Sequence, residues 1–182
     1  MLTIRKLTKA VSIMAVLGLM VFLYLGLQGE ALAATLAQAA LQGTSDPALT
    51  GQVVFTPTAA GLQIDAEVSH APPGYHGFHL HANESCADGG NGAGGHFNPD
   101  GVKHGKLIND GFENAHAGDL GNFSVGLDGT GEYHQTLPGL GLTEGEHAIA
   151  HHSVILHANI DSYAQPTGDA GGRIACALIT LK

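Results

Sequence analysis

The sequence predicts an all-β domain, built as an antiparallel sandwich or barrel of seven or eight short strands. Runs of β-branched and alternating apolar residues are separated by glycine-rich turns, which is typical of such folds. No run with a helical 3.6-residue period follows the N-terminal apolar segment. The length of 182 residues suits one domain with a tail.

The strand pattern recurs along most of the chain after residue 50. The predicted strands cover residues 51–56, 61–68, 76–81, 118–125, 131–137, 153–157 and 173–181, with a weaker candidate at 36–41. In the second of these, Leu62, Ile64 and Val68 fall on one face, and polar residues alternate with them. Asp128 and Gly129 lie between two predicted strands and favour a hairpin turn.

The N-terminus has the pattern of an export signal. Three cations within the first nine residues precede an uncharged apolar run over 10–27, and Ala31 and Ala33 form a small-x-small cleavage pattern. Residues 1–33 are therefore predicted to be a signal peptide. The apolar run is as long as the shortest membrane spans, which need about 17–25 residues, so a membrane anchor stays an alternative. Either reading predicts a periplasmic or otherwise extracytoplasmic domain.

Cleavage after residue 33 leaves 182 − 33 = 149 residues. We predict a linker and first strand over 34–49, followed by the main domain over 50–182. The mature chain keeps four cations against 15 acidic residues, and its net charge is 4 − 15 = −11. An acidic chain without a basic stripe is unsuited to nucleic acid. Aromatic residues make up 5% of the sequence and Trp is absent, which argues against a base-stacking platform.

Histidine is the unusual component, because the 12 His outnumber the seven Lys and Arg together. Such an excess points to metal binding. His79 and His81 stand at i and i+2 of a predicted strand, so that both imidazoles project from one face. His157 ends a second, apolar strand. These three with one loop histidine could form an all-imidazole site, which suits copper.

Residues 82–117 are rich in glycine and do not fit a strand. A loop of this length within a compact domain is uncommon and is either functional or disordered. It carries His96, His104 and His116, and Asp119 follows shortly after. Three imidazoles and one carboxylate form a plausible tetrahedral zinc shell. Seven ligands in a small domain predict two metal sites, with one histidine possible as a shared ligand.

The chain has two cysteines, Cys86 in the loop and Cys176 in the last predicted strand. In an exported chain an even pair is most simply one disulfide, and two buried free thiols are the alternative. The disulfide and bound metals are the two candidates for holding a loop that cannot pack apolar surface.

Six sequence blocks resemble the signature blocks of the copper/zinc superoxide dismutases and occur in the same order. They are GFHLH (77–81), GHFNP (95–99), KHG (103–105), HAGDLGN (116–122), LH (156–157) and GGRIAC (171–176). The resemblance spans roughly Thr50 to Lys182, and the short stretch that contains Gln165 is closer to the bacterial branch. It implies a Greek-key antiparallel β-sandwich or flattened barrel of about eight strands, immunoglobulin-like, with a long metal-binding loop.

The resemblance also implies residue roles, with one copper and one zinc per chain. Copper would be bound by His79, His81, His96 and His157, and zinc by His96, His104, His116 and Asp119. Arg173 and His96 would be catalytic, Asp161 would link a histidine of each site, and Cys86 and Cys176 would form the family disulfide. The implied reaction converts two superoxide anions and two protons to oxygen and hydrogen peroxide as copper alternates between Cu(II) and Cu(I). Zinc would be structural and electrostatic.

A metal-binding module on the same fold is an alternative to the enzyme. A copper carrier or metal-storage protein would lose copper ligands or gain a CxxC motif, whereas this sequence keeps Arg173 and all ligands and has no CxxC. A zinc hydrolase would need an open zinc position, whereas His96, His104, His116 and Asp119 would fill the four positions of the shell.

Lys103 and Lys106 flank His104 and are hypothesised to steer superoxide to the acidic protein; ordinary surface lysines are the alternative. The resemblance allows a homodimer or a monomer.

The remaining histidines are expected to serve structure or solvation. The parity of His76 on its strand opposes that of His79 and His81, which favours a hydrogen-bonding role. His70, His134, His147, His151 and His152 match no ligand block; the last two could contact a partner subunit but are expected to be surface residues. A turn role is the alternative for Asp161.

Overall fold

The computed structural model describes residues 36–182. The predicted signal segment lies outside the described residues. Nine strands are present in the described part: β1 Ala37–Gly43, β2 Thr50–Thr58, β3 Gly61–Ser69, β4 Gly74–His81, β5 Asp119–Val125, β6 Gly131–Leu137, β7 Ser153–His157, β8 Arg173–Leu178 and β9 Thr180–Leu181. The seven predicted strands are confirmed to within about two residues at most ends, and the weaker first candidate forms β1. The last predicted strand divides into β8 and β9.

The strands close into an antiparallel barrel, which decides between the two predicted architectures. The order around the barrel is β1-β2-β3-β6-β5-β4-β7-β8, and β8 pairs with β1 to complete the ring. β9 extends β8 along β1. Because β3 lies beside β6 instead of β4, strands β3 to β6 form a Greek key. The predicted turn at Asp128 and Gly129 is confirmed, since Gly126 N donates to Thr130 O at 2.8 Å.

The barrel interior is apolar and its packing follows the strand alternation. Leu62, Ile64 and Val68 of β3 point inward and are buried. Phe78 of β4 packs edge-on against Phe123 at a centroid distance of 5.4 Å and against Tyr133 at 5.1 Å. Edge-to-face aromatic pairs add to the burial free energy of a core, by about 0.5–1.5 kcal/mol each.

Residues 76–81 of β4 and the whole of β7 are buried on both faces of the strand. On β4, Phe78 and Leu80 enter the core, whereas His79 and His81 point out of the barrel and are nevertheless covered. On β7, Leu156 faces the core and His157 faces outward. The segment 82–118 lies over these outward faces, so an otherwise solvated side of the barrel becomes a buried polar layer.

The segment 82–118 is ordered by backbone contacts to β4 and by a disulfide. Leu80 O accepts from Phe97 N at 2.9 Å, and Leu80 N donates to Gly118 O at 3.0 Å. A Cβ at Gly118 would overlap the Leu80 carbonyl oxygen, so only glycine permits this close approach. Cys86 and Cys176 form a disulfide with their Cα atoms 5.8 Å apart, which confirms the predicted pairing.

The same segment also contains structure that the periodicity did not predict. Asn91–Ala93 forms a 3-10 turn and Leu107–Asp110 a four-residue helix. Elements of three or four residues are too short for a helical period to be visible in the sequence. Among residues 36–182, no helix is long and apolar enough to cross a membrane.

Candidate metal centre

Four imidazoles converge outside the barrel wall where β4, β7 and the loop meet. We call this group the imidazole cluster; its members are His79, His81, His96 and His157. Each offers one nitrogen atom, and these nitrogens all lie within 4.8 Å of one another. The set joins the predicted HxH pair of β4 to the end of β7 and to the first loop histidine.

The hydrogen bonds of the ring nitrogens that point away show which nitrogens carry lone pairs. His81 Nδ1 lies 2.9 Å from Gly94 O and His157 Nδ1 lies 3.2 Å from Gly171 O. A carbonyl only accepts, so each Nδ1 carries the proton and each Nε2 carries a lone pair. These two Nε2 atoms face each other at 3.3 Å. Two lone pairs at this distance repel each other unless a cation lies between them.

His79 presents its other nitrogen in the same way. Its Nε2 donates to Asp161 Oδ2 at 2.9 Å, so its Nδ1 carries the lone pair. This Nδ1 is fully buried and has no hydrogen-bond partner within residues 36–182. A buried unpartnered acceptor is costly and needs an explanation, and a metal ion supplies one. Neutral imidazoles suit copper among the transition metals.

A second group, here the mixed cluster, contains His96, His104, His116 and Asp119. Around the buried Asp119 carboxylate, the Nδ1 atoms of His96, His104 and His116 lie 2.7, 2.9 and 3.1 Å from its oxygens. His104 Nδ1 is close to Asp119 Oδ2 but is not aligned to hydrogen-bond to it. Three nitrogens and one oxygen converging in this way fit the tetrahedral shell of zinc.

His96 belongs to both clusters, as the sequence suggested for one histidine. Its ring lies 4.1 Å from the His79 ring on one side and 5.4 Å from the His116 ring on the other, by centroids. An isolated antiparallel β-bridge pairs the backbones of His81 and His96, and it places the His96 side chain at this position.

Asp161 joins the two clusters from behind. The carboxylate is buried and accepts from His79 Nε2 at 2.9 Å and from His104 Nε2 at 2.9 Å. Asn122 holds its backbone, since Asp161 N donates to Asn122 Oδ1 at 2.7 Å and Asn122 Nδ2 donates to Asp161 O at 2.9 Å. Because Asp161 already accepts from both imidazoles, the third metal-like triad, His79, His104 and Asp161, is explained by hydrogen bonds.

Burial and hydrogen bonding set the charge of the two clusters in opposite ways. Burial lowers the pKa of His79 to about 4, that of His157 to about 3 and that of His81 to about 2. These imidazoles are therefore neutral at pH 7, which is the form that binds metals.

In the mixed cluster, burial alone would lower the pKa of His104, but its contacts with Asp119 and Asp161 outweigh burial and raise that pKa to about 9. Burial would raise the pKa of both carboxyl groups. The surrounding imidazoles instead hold the pKa of each carboxyl group well below the usual range of aspartic acid: those of His104, His116 and His96 at Asp119, and those of His104 and His79 at Asp161. In the metal-free protein at pH 7, His104 is therefore protonated beside the ionised Asp119, and a divalent cation bound at His104 Nδ1 would displace a proton.

Arg173 lies at the mouth of the imidazole cluster. A cavity of about 280 Å³ is lined by His81, His96, His157 and Arg173, together with small residues of the loops. The guanidinium donates to the carbonyl oxygens of Gly90 and Gly94. Gly94 O also accepts from His81 Nδ1, so one carbonyl orients both a cluster imidazole and the cavity cation. This role of Gly94 is invisible in the sequence because it is made by the backbone.

Most histidines outside the two clusters make hydrogen bonds or ion pairs, and three of them have contacts that the sequence did not predict. His76 is buried, and its ring nitrogens contact His157 O at 2.8 Å and Pro72 O at 2.7 Å, which confirms its hydrogen-bonding role. His134 pairs with Asp65 on the outer face. These three, His147, His151 and His152, all contact segment 82–118, through Asp100, Glu84 and the carbonyl of Ala82.

The two predicted steering lysines lie elsewhere on the loop. Lys103 is exposed and Lys106 is half-buried, and neither lines the cavity at Arg173. The Lys106 side chain lies next to Gly121.

The fold and site define a class of protein: a Greek-key barrel with two adjoining metal-binding clusters that share an imidazole. Residues 49–179 match the family model described as copper/zinc superoxide dismutase (SODC). The crystal structure of the clock protein EA4 is similar, with a TM-score of 0.71 and 31% identity over 84% of this chain and 98% of that chain. The chain therefore belongs to the copper/zinc superoxide dismutase family and is an oxidoreductase.

Proposed function

We propose that this chain converts two superoxide anions and two protons to one oxygen and one hydrogen peroxide outside the cytoplasm. The supporting observation is a single cavity that exposes three imidazoles of the imidazole cluster and the Arg173 guanidinium. A small anion that enters this cavity meets a fixed cation and a redox metal position together.

Copper would be held by His79, His81, His96 and His157. When bound there, it supplies one-electron redox chemistry by alternating between Cu(II) and Cu(I). The protein's own contribution is to keep His79, His81 and His157 neutral by burial. The carbonyls of Gly94 and Gly171 and the Asp161 carboxylate orient these three rings.

Zinc would be held by His96, His104, His116 and Asp119, where its role is structural and electrostatic because it has no redox chemistry. His96 takes part in both sites, and we assign to its Nε2 the holding and delivery of a proton to the substrate. The Nδ1 side of the ring, next to Asp119, fixes the ring and its basicity.

Arg173 binds the incoming anion. Its guanidinium stays charged at all relevant pH values and presents a planar fork of donors. The carbonyls of Gly90 and Gly94 hold the guanidinium at the cavity.

Lys103 and Lys106 would add a local positive electrostatic field that attracts superoxide, since the mature chain is acidic overall. If the variant K103Q/K106Q keeps the wild-type kcat/KM and salt dependence, this steering role is wrong.

The cellular placement is part of the same proposal. The signal-like segment 1–33 and the disulfide suit an exported, periplasmic protein of the bacterial type. Retention of the apolar run 10–27 would tether it to a membrane. We expect a monomer or homodimer that does not bind nucleic acid.

The test measures the metal content of the purified protein by mass spectrometry together with superoxide dismutation, before and after copper reconstitution. We expect one copper and one zinc per chain and activity that depends on copper. Zinc binding without activity after copper loading would contradict the proposal and indicate a metal-binding module instead.

A further inference from the structure

We propose that Gln165 is a positioning residue for the mixed cluster: its side-chain amide fixes the backbone of His104 and thereby sets the zinc affinity of the site. The inference rests on the proposed function only in taking zinc as the metal of that cluster. It assigns a role to a residue that none of the ligand motifs includes.

The contact is a two-point clamp between distant parts of the chain. His104 N donates to Gln165 Oε1 at 3.0 Å, and Gln165 Nε2 donates to His104 O at 2.8 Å. The two residues are 61 positions apart. A primary amide that both accepts from and donates to one residue reproduces the pairing of a neighbouring β-strand.

His104 depends on this clamp because its backbone belongs to no strand or helix. Within residues 36–182, Gln165 is the one hydrogen-bond partner of the His104 amide N–H and of its carbonyl oxygen. Buried backbone groups of this kind are paired in nearly all native structures. Without the clamp, the residue that carries a cluster nitrogen would have no direct backbone tether at its own position.

The turn that carries Gln165 is itself built against the same imidazole. Asp161 begins this turn and accepts from His104 Nε2 at 2.9 Å. Gly168 closes it, with its N–H donating to Ala164 O at 2.6 Å. A Cβ at Gly168 would overlap Asp161 Oδ1 and lie 2.7 Å from His104 Nε2, and its φ is +77°. Glycine therefore lets the turn backbone cover the hydrogen bond between Asp161 and His104.

These contacts hold His104 at three places: the two backbone groups by Gln165 and the ring Nε2 by Asp161. The remaining ring atom, Nδ1, is the one that faces Asp119 and the metal position. Residues that orient a ligand from outside the coordination shell typically change metal affinity by about 10–100-fold when mutated. Loss of the backbone clamp alone should fall near the lower end of that range.

The experiment compares Gln165→Met with wild type, because methionine keeps the length of the side chain and removes both hydrogen bonds. Gln52→Met, at an exposed glutamine on the outer face of β2, is the matched control. Zinc affinity of the metal-free proteins is measured by competition with a chromophoric chelator. The visible absorption of Co²⁺ at the same site reports the coordination geometry.

We expect Q165M to bind zinc about 10-fold more weakly and to give an altered Co²⁺ spectrum, with Q52M equal to wild type on both counts. Equal zinc affinity and an unchanged Co²⁺ spectrum in Q165M would overturn the inference, even if its thermal stability fell. If Q165M does not fold, Gln165→Glu carries the test, since it keeps the acceptor for His104 N–H. An altered Co²⁺ spectrum in Q165E supports the clamp, and a wild-type spectrum overturns it.

The wild-type protein separates this inference from the proposed function. A wild type that binds zinc but does not dismutate superoxide contradicts the function and leaves the Gln165 comparison intact. A wild type that dismutates superoxide while Q165M matches it in zinc affinity and Co²⁺ spectrum contradicts only the role of Gln165.

Discussion

Opening the disulfide between Cys86 and Cys176 should cost this protein a large part of its stability. The bond joins residues 90 positions apart. Cross-linking a loop of this length removes conformational entropy from the unfolded chain, and the chain-entropy model gives about 4–5 kcal/mol at 25 °C. Small domains have total stabilities of about 5–15 kcal/mol, so the reduced metal-free protein should retain only a small margin.

The measurement is urea unfolding of the metal-free protein, oxidised and reduced, in otherwise identical buffer. Reduction leaves every side chain in place, whereas the double variant C86A/C176A removes the sulfur atoms and serves as an independent check. We expect the unfolding midpoint to fall in both and the m-value to rise, because an unfolded chain without the cross-link exposes more surface. A loss below about 1 kcal/mol, with an unchanged m-value, would refute the entropic reasoning.

The same bond should also affect activity through the cavity cation. Cys86 lies four positions before Gly90, and Gly90 and Gly94 supply the carbonyls that hold the Arg173 guanidinium. Freeing this part of the loop should let the guanidinium move. Misplacing a binding group by about 1 Å can cost up to about 100-fold in rate. The metal-loaded C86A/C176A protein should therefore show a lower kcat/KM at full metal occupancy; a wild-type value would show that the loop holds its position without the bond.

Three further predictions test the site directly. Asp161→Asn should weaken zinc binding about 10–100-fold in a chelator competition, since its amide NH₂ would face an imidazole N–H; unchanged affinity would remove the bridging role. Arg173→Met should lower kcat/KM at least about 10-fold and flatten its salt dependence, with Arg173→Lys in between; a wild-type rate in Arg173→Met would exclude anion binding there. The metal-free protein should lose stability as the pH falls from about 6.5 to about 4. The unfolded chain takes up protons at His79, His81 and His157 in this range, while their folded pKa values of about 4, 2 and 3 keep them neutral. The slope should reach up to about 4 kcal/mol per pH unit, and equal urea midpoints at pH 7 and pH 5 would contradict it.

Much of the site could be anticipated from residue types and spacing. The alternation on β4 placed His79 and His81 on the same face, and the structure brings both into the imidazole cluster. The sharing of one loop histidine by two sites was open in the residue pattern, and the structure places His96 in both clusters. The short helix at Leu107–Asp110 was missed, because four residues carry no visible period.

Contacts made by the backbone or across long separations were not predictable in the same way. Gly94 O reaches both His81 and Arg173, yet glycine offers no side chain from which a role could be inferred. The histidines at 147, 151 and 152 match no ligand block, and only the folded chain shows that all three contact segment 82–118. Gln165 belongs to the same group, since its partner His104 lies 61 positions away.

By itself, the sequence determined the strands, the apolar face of each strand and the set of candidate metal ligands, because these depend on residue type and on neighbours two to four positions apart. The tertiary structure alone decided that the barrel closes and that Gln165 clamps His104, and it gave the contacts by which Asp161 joins both clusters, a link expected only from the family resemblance. The contacts of Asp161 and Gln165 join residues separated by 57 to 82 positions, and barrel closure pairs Gln42 with Cys176, 176 − 42 = 134 positions later. Such distances are fixed only when barrel closure brings β4 and β7 together beneath the loops, and no local pattern encodes that geometry.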